Sequence, residues 1–264
     1  MKLNGKRVLI TGASRGIGES MAHSFRAAGA TVALVARSEG QIRSLADQLG
    51  GTAHPADLSD PADVAGLIQR VEREAGPIDV LVNNAGLDST TGFTEAPDDE
   101  LRRVTEVNYL APAELCRQVI PGMVRRGEGH IVNISSVAGA TVFPGLVTYS
   151  ASKAALSHFT AGLRADLRGL PVGITLVELG PVPTDMLANI GNYEPTKRSF
   201  DRVYRLRLTV DVPRETVARK VVEAVVRNRK HVRLPRRTSA FPMLVEAPRR
   251  ITELLLTGVP HQAR

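Results

Sequence analysis

Tyr149 and Lys153 stand four residues apart in Tyr149-Ser-Ala-Ser-Lys153, a spacing that places both side chains on one face of a helix, one turn apart. An ammonium at that distance favours the phenolate and pulls a tyrosine pKa down from about 10. Thirteen residues before the tyrosine, Ser136 closes the run Ile131-Val132-Asn133-Ile134-Ser135-Ser136, which reads as a short buried parallel strand. A hydroxyl at the carboxyl end of a strand and a phenol of tuned acidity can act on a carbonyl or an alcohol, as hydrogen-bond donor and general acid/base. Tyr-x-x-x-Lys also recurs by chance, and a serine pair at a strand end is commonly turn chemistry. The weight of the reading therefore falls on the rest of the chain.

A binding device opens it. Arg7-Val-Leu-Ile-Thr11 is a first strand, Gly12-Ala-Ser14-Arg15-Gly16-Ile17-Gly18 a glycine-rich turn, and Ile17, Met21, Ala22, Phe25 and Ala28 recur at helical spacing. Glycines allow a tight turn and close approach of a pyrophosphate, which the positive helix N-terminus holds. The spacing Gly-x-x-x-Gly-x-Gly differs from Gly-x-Gly-x-x-Gly, so its position between strand and helix carries the argument. The second strand, Thr31 to Ala36, ends in Arg37-Ser38, where an acid would select the ribose 2′-hydroxyl of NAD and an arginine the 2′-phosphate of NADP. With no acid there, and Arg15 in the glycine loop, the expected cofactor is NADP(H), because a guanidinium suits a phosphate dianion. Solvated surface arginines are the alternative.

A third strand is expected over Ala53 to Ala56, then Asp57-Leu58, where Asp57 either accepts from an adenine amino group or leads into a helix near Pro61. A fourth, Asp79 to Asn83, ends in Asn83-Asn84-Ala85-Gly86; amides and a glycine there can pin neighbouring strands and let a cofactor lie close, or form a plain loop. Asp98 to Arg126 reads as helix, with Asn108 in its middle and Pro112 just beyond. Such residues in a helix point to a kink that exposes a carbonyl or amide, or else to a surface asparagine. Val172 to Glu178 is a sixth strand, followed by Leu179-Gly180-Pro181-Val182-Pro183-Thr184. The segment 185–212 reads as an irregular polar loop with five lysines or arginines, of the kind that closes on substrate. Helix returns over Pro213 to Arg227, and His231 to Leu234 is a last strand. Alternating strands and helices predict an α/β fold, a Rossmann-type doubly wound parallel sheet in one domain over 1–234, with a short C-terminal helical extension over 235–264.

At 264 residues and 43% hydrophobic, the chain can bury a large core. Its single cysteine, Cys116, excludes an internal disulfide and a cysteine-based zinc site. The start, MKLNGKRVLITG, shows no signal-peptide pattern, and no window has the roughly 18 apolar residues of a membrane span, so a cytoplasmic location is expected. The net charge of +7 is regional: residues 197–250 hold 16 lysines and arginines against five acids, the remainder 18 against 22. Nucleic acid is not an expected partner, since the basic region lacks interleaved aromatics and the chain has no tryptophan.

With Thr11-Gly-x-x-x-Gly-x-Gly18, Asn83-Asn-Ala-Gly86, Asn108, Ser136, Tyr149 and Lys153 in this order, the chain resembles the short-chain dehydrogenase/reductase family over about residues 2–234. The resemblance implies that Tyr149 is the general acid/base, that Lys153 lowers its pKa and holds the nicotinamide ribose, that Ser136 holds the substrate oxygen, and that Asn108 supports a water-linked proton relay. It also implies that Asp57 faces adenine, that Asn84, Ala85 and Gly86 line the cofactor cleft, and that Val182 and Thr184, beyond Gly180, contact the carboxamide. The 13-residue spacing assigns the serine role to Ser136 over Ser135. The family usually has Pro-Gly where this chain has Leu179-Gly180, which leaves that loop's geometry open.

The expected reaction is NADP(H)-dependent interconversion of a carbonyl and a secondary alcohol by a homo-oligomer, dimer or tetramer. Val203, Tyr204, Leu206 and Leu208 suggest an apolar wall for a lipid, steroid-like or acyl substrate, and the arginines of that segment an anionic end. A non-catalytic dinucleotide sensor or scaffold is the alternative, disfavoured by an intact acid/base pair. In the tail, Pro248 can begin a short helix whose stripe Ile251, Leu254, Leu255 and Val259 leaves Arg249, Arg250 and Glu253 outside. That stripe covers the protein's own core or a sister subunit, or else makes a peripheral membrane contact with the basic C-terminal region on anionic headgroups.

Overall fold

The apolar runs do become strands, and their pairing sets where a ligand can sit. A computed structural model describes residues 1–255, excepting the side chains of 249, 250 and 252–255. Among these residues, β1 (Arg7–Thr11), β2 (Thr31–Ala36), β3 (Thr52–Pro55), β4 (Val80–Asn83), β5 (Gly129–Ser136), β6 (Val172–Leu179) and β7 (His231–Leu234) form one parallel sheet in the order β3-β2-β1-β4-β5-β6-β7. The third strand starts one residue earlier than its sequence suggests. β1 pairs with β2 on one side and β4 on the other. The connections run outward in opposite directions from that junction, so a crevice opens above the carboxyl ends of β1 and β4.

Both faces are covered, which is why the central strands are apolar throughout. Val8 and Ile10 turn to a layer with Met21 and Phe25 of α1 (Gly16–Ala27), Ile42 of α2 (Glu39–Leu49), and Val217 and Val221. Leu9 turns to the opposite layer, with residues of α3 (Pro61–Val64) and α4 (Leu67–Ala75) and with Leu115, Val119 and Met123. The segment that read as one long helix is α5 (Glu100–Thr105), a single π-helical stretch Glu106–Leu110, and α6 (Ala111–Arg126). Asn108 lies in the π-helical stretch and is fully buried, so it is not a surface asparagine. A π-bulge re-aims side chains inside a helix, and here it turns the amide inward.

After α7 (Val147–Asp166) and β6, the segment that read as an irregular loop is largely helical: α8 (Asp185–Ala188), a 3₁₀ turn, and α9 (Glu194–Arg205) precede α10 (Arg214–Val226). Pro195 sits in the first turn of α9, where a missing N–H costs little. The final helix, α11, spans Ala240–Leu255, with Pro248 in its interior and not at its start. Of the apolar stripe read in the tail, Ile251 is exposed, the side chains of Leu254 and Leu255 are not described, and Val259 lies outside the described residues. Among the described residues no helix is long and apolar enough to cross a membrane.

Candidate active site

The crevice between β1 and β4 is built by two loops that interlock. At Gly12 (φ +64°) a side chain would meet Ala85 Cα at 2.7 Å, and at Gly18 it would meet Gly12 O at 2.1 Å and Asn84 Nδ2 at 2.7 Å. Only glycine fits either place. In the space they leave, Asn84 Nδ2 donates to Thr11 O (2.9 Å) and Gly12 O (3.1 Å). The amides of Asn84 and Ala85 donate to Thr11 Oγ1 at 3.0 and 3.1 Å. The neighbouring Asn83, on β4, donates to Asn133 Oδ1 on β5 at 2.8 Å, so the second asparagine pair ties the strands beneath the cleft.

Above these loops lies a cleft of about 790 Å³, in the upper part of the ~300–1,000 Å³ range of ligand pockets. Every residue expected to bind cofactor, from Gly12 to Thr184, lines it, as do Ser136, Tyr149 and Lys153. Asn108 does not. Its Oδ1 accepts from Leu87 N (2.8 Å) and its Nδ2 donates to Leu87 O (2.9 Å) and Ser152 Oγ (2.9 Å), so it stands behind the wall and joins the Asn84–Gly86 loop to α7.

At one end the glycine loop leads into α1, whose first turn has no side-chain cap. Uncapped amides at a helix N-terminus favour an anion. Arg37 is exposed on the cleft wall and makes no ion pair among the described residues, whereas Arg15 Nη1 is held by Asp185 Oδ2 at 2.7 Å. The two expected phosphate ligands thus differ: one makes no ion pair among the described residues, the other is tied across the cleft. Burial works to raise the Asp57 pKa, but Ser59 N and Oγ (2.9 and 2.8 Å), with Arg37 and Arg103, outweigh it and hold the carboxyl below its ordinary value. A cradle that only glycines permit, an uncapped helix start and an unpaired guanidinium form a donor set that fits a dinucleotide.

At the other end β5 delivers its two serines differently. Ser135 Oγ is buried against Lys153 O (3.0 Å) and Ser157 Oγ (2.7 Å), and Ser136 Oγ, which accepts from Ala138 N at 3.1 Å, faces Tyr149. Lys153 Nζ donates to Ile134 O at 3.0 Å and lies 5.8 Å from the Tyr149 ring centre. Burial lowers the lysine pKa to about 8. The tyrosine runs opposite to expectation. Desolvation raises its pKa, the Ser136 hydroxyl lowers it, the Asp88 carboxylate raises it again, and the net is above the ordinary value. The largest cause is the tyrosine's own burial, which disfavours the phenolate.

The apolar wall is only partly the one read from sequence. Val203 and Leu208 line the cleft, joined by Phe143, Leu146, Phe200 and Phe241; Tyr204 and Leu206 do not. Tyr204 donates to Asp211 and packs behind Phe200, ring centres 6.5 Å apart, and Leu206 faces solvent. Nor do the arginines of that segment line the cleft to meet an anionic end of a substrate. On α9, Thr196 and Phe200 face inward, with Thr196 Oγ1 donating to Pro144 O at 2.6 Å, and Lys197, Arg198, Arg202 and Arg205 face water. Thr90 Oγ1 and Thr209 Oγ1, on residues that line the cleft, are buried and have no hydrogen-bond partner among the described residues. Asp88 and the phenylalanines were missed. Phe200 and Val203, three apart on a helix, were the legible signal.

Residues 6–195 match the model of the short chain dehydrogenase family. The chain belongs to that family. It is 36% identical over 242 residues to a dehydrogenase/reductase SDR family protein 7-like of Anopheles gambiae, covering 88% of this chain and 75% of that one. With a short chain dehydrogenase of Pseudocercospora fijiensis it shares 37% over 192 residues, 70% of this chain and 62% of the relative. The chain thus spans about three-fifths of the length of some curated relatives. Among solved family members, a short-chain dehydrogenase from Sphingobium yanoikuyae in complex with NADPH superposes with a TM-score of 0.79 at 28% identity, over 98% of each chain. One from Burkholderia phymatum in complex with NAD gives 0.79 at 26%, over the whole of both.

Proposed function

We propose that this chain is an NADP(H)-dependent oxidoreductase that interconverts a carbonyl and a secondary alcohol. The observation that carries the reading is that Ser136, Tyr149 and Lys153 line the same cleft as the glycine loop. Family members have been solved with NADP(H) and with NAD, so the choice between them rests on Arg37 and on the absence of an acid at Ala36, Arg37 or Ser38.

When bound, the dinucleotide supplies or accepts the hydride at the substrate carbon. In reduction, negative charge develops on the carbonyl oxygen, and in this reading Tyr149 Oη and Ser136 Oγ, turning from Leu179 O at 3.2 Å, donate to it. Tyr149 gives up its proton to that oxygen, and in oxidation its phenolate takes the proton back. A raised phenol pKa keeps the proton on Tyr149 at neutral pH, the state that reduction needs. Lys153 Nζ lies beside Gly86, and in this reading it holds the ribose. Asn108 positions the Leu87 backbone and α7. The wall of Phe143, Leu146, Phe200, Val203 and Phe241 suits an apolar carbonyl substrate such as a lipid, a steroid-like ketone or an acyl compound.

Tyr149→Phe tests the reading, because it removes only the titrating hydroxyl. Ketone-dependent NADPH oxidation is expected to fall by about 10²–10⁴-fold, with dinucleotide affinity, read by fluorescence, nearly unchanged. Turnover at the wild-type rate would refute the mechanism.

A further inference from the structure

The outer end of the cleft is lined by Thr141, Phe143, Leu208 and Phe241, residues of three separate segments. Beside each segment an apolar side chain turns to solvent: Val142 is 94% exposed, Leu206 61% and Leu244 72%. The segments are neighbours, since α11 packs beside residues 137–140 and Arg237 Nη1 reaches Arg207 O at 3.4 Å. Single exposed hydrophobes are ordinary on a protein surface, but a ring of them around one opening is not. Set among them are Arg202, Arg205, Arg207, Arg236 and Arg237, all exposed and none in an ion pair among the described residues.

The α11 side of this rim is anchored to the sheet. On its inner face α11 carries Glu246, which pairs with His231 Nε2 at 2.8 Å and with Arg233; Arg233 Nε reaches Glu178 Oε2 at 2.7 Å on the neighbouring strand. With that face fixed on the sheet edge, Leu244 and Ile251, two turns apart, are both held outward.

We infer that this rim seats the protein on the surface of an anionic lipid bilayer, with the apolar side chains in the acyl boundary, the arginines on headgroup phosphates and the cleft opening towards the lipid. Charge decides the occupant. A second copy meeting the same patch about a two-fold axis would set five unpaired arginines against five more. Nucleic acid would use the arginines and leave the aliphatic ring without partners. That an apolar carbonyl substrate enters from the lipid rests on the proposed function; the seat itself does not.

The test is sedimentation of the full chain with vesicles of phosphatidylcholine alone and of phosphatidylcholine mixed with phosphatidylserine, at low and physiological salt. Binding to the mixed vesicles is expected, weakened by salt and feeble on the neutral ones. Each cation near an anionic surface strengthens binding by about fivefold, so Arg207→Glu/Arg236→Glu/Arg237→Glu, which removes three cations and adds three anions, is expected to weaken it at least about a hundredfold. Leu206→Ser/Leu244→Ser should weaken it at least about tenfold. Both variants should keep wild-type turnover of a water-soluble ketone. The inference is overturned if mixed vesicles are not bound at low salt, or if charge reversal leaves binding unchanged. It is equally overturned if the leucine variant dissociates a dimer of a protein that binds no vesicles, or if the charge-reversed variant loses nucleic-acid binding in place of vesicle binding. Vesicle binding needs no turnover, so a protein that sediments but reduces no ketone would count against the proposed reaction alone.

Discussion

Arg15 Nη1 lies 2.7 Å from Asp185 Oδ2, and this exposed pair joins the turn before α1 to the first residue of α8. The contact crosses the cleft between the two segments that the sequence places 170 residues apart. It also occupies a guanidinium that would otherwise be open to a phosphate. Asp185→Asn should release Arg15 towards a bound phosphate. Exposed pairs are weak, so the KM for NADPH should fall by about two- to fivefold, and that for NADH less. An equal fall for both would place Arg15 on the pyrophosphate, and no change in either would show that the pair does not compete.

Arg37 lines the same end and makes no ion pair among the described residues. Arg37→Asp replaces attraction by repulsion at the 2′-phosphate. The ratio of kcat/KM for NADPH over NADH is expected to drop at least about a hundredfold, mostly through KM for NADPH. If the wild-type protein already prefers NADH, the assignment of Arg37 fails.

Burial brings the Lys153 pKa to about 8 and leaves that of Tyr149 above its ordinary value. As pH rises through about 8, Lys153 loses its charge and Tyr149 keeps its proton. For reduction, kcat/KM in the free protein should therefore hold to about pH 8 and then decline about tenfold per unit. Lys153→Arg, which stays charged, should lower the plateau but move the decline to higher pH. A wild-type profile flat through pH 10 would remove Lys153 from the ionisation.

The α11 anchor has its own acid limit. Burial pushes the Glu246 carboxyl up, but His231 and Arg233 outweigh it and hold the pKa at about 2, against an ordinary 4.5. A depressed carboxylate contributes stability that is complete above 4.5 and fades as pH falls towards 2. Glu246→Gln should cost on the order of 3 kcal/mol near neutral pH, read by urea unfolding. The variant should also lose part of the wild-type decline between pH 4.5 and 2. Equal acid sensitivity in both proteins would exclude Glu246 as its source.

What the residues revealed, and what they hid, divides by the range of the interactions. Strand runs such as Val80 to Asn83 and the glycine cradle carry their signal locally, and they were placed within a residue or so. Tyr149 and Lys153 were legible because one helical turn fixes their relation. Their acidities were not, because these depend on Ile134 O, Ser136 and Asp88, which only the packed chain brings near. The 185–212 segment looked irregular because charged residues dominate it; the inward face of α9 rests on Thr196, Phe200 and Val203 alone. Pro248 looked like a helix start because proline favours that place, yet α11 begins at Ala240 and continues through it. Asn108 and Pro112 together signalled an irregularity in the helix, but not that it is a π-turn or that it buries the amide.

Cys116 lies wholly buried on α6, within 3.4 Å of Asn83 Nδ2, and burial pushes its thiol to about 12. A thiolate is what alkylating reagents attack, so the folded protein should be almost inert to them. Because this is the chain's single cysteine, any labelling reports the lifting of α6 from β4. The chain therefore carries an internal clock for opening of the sheet beneath its active site, readable by mass without an engineered probe.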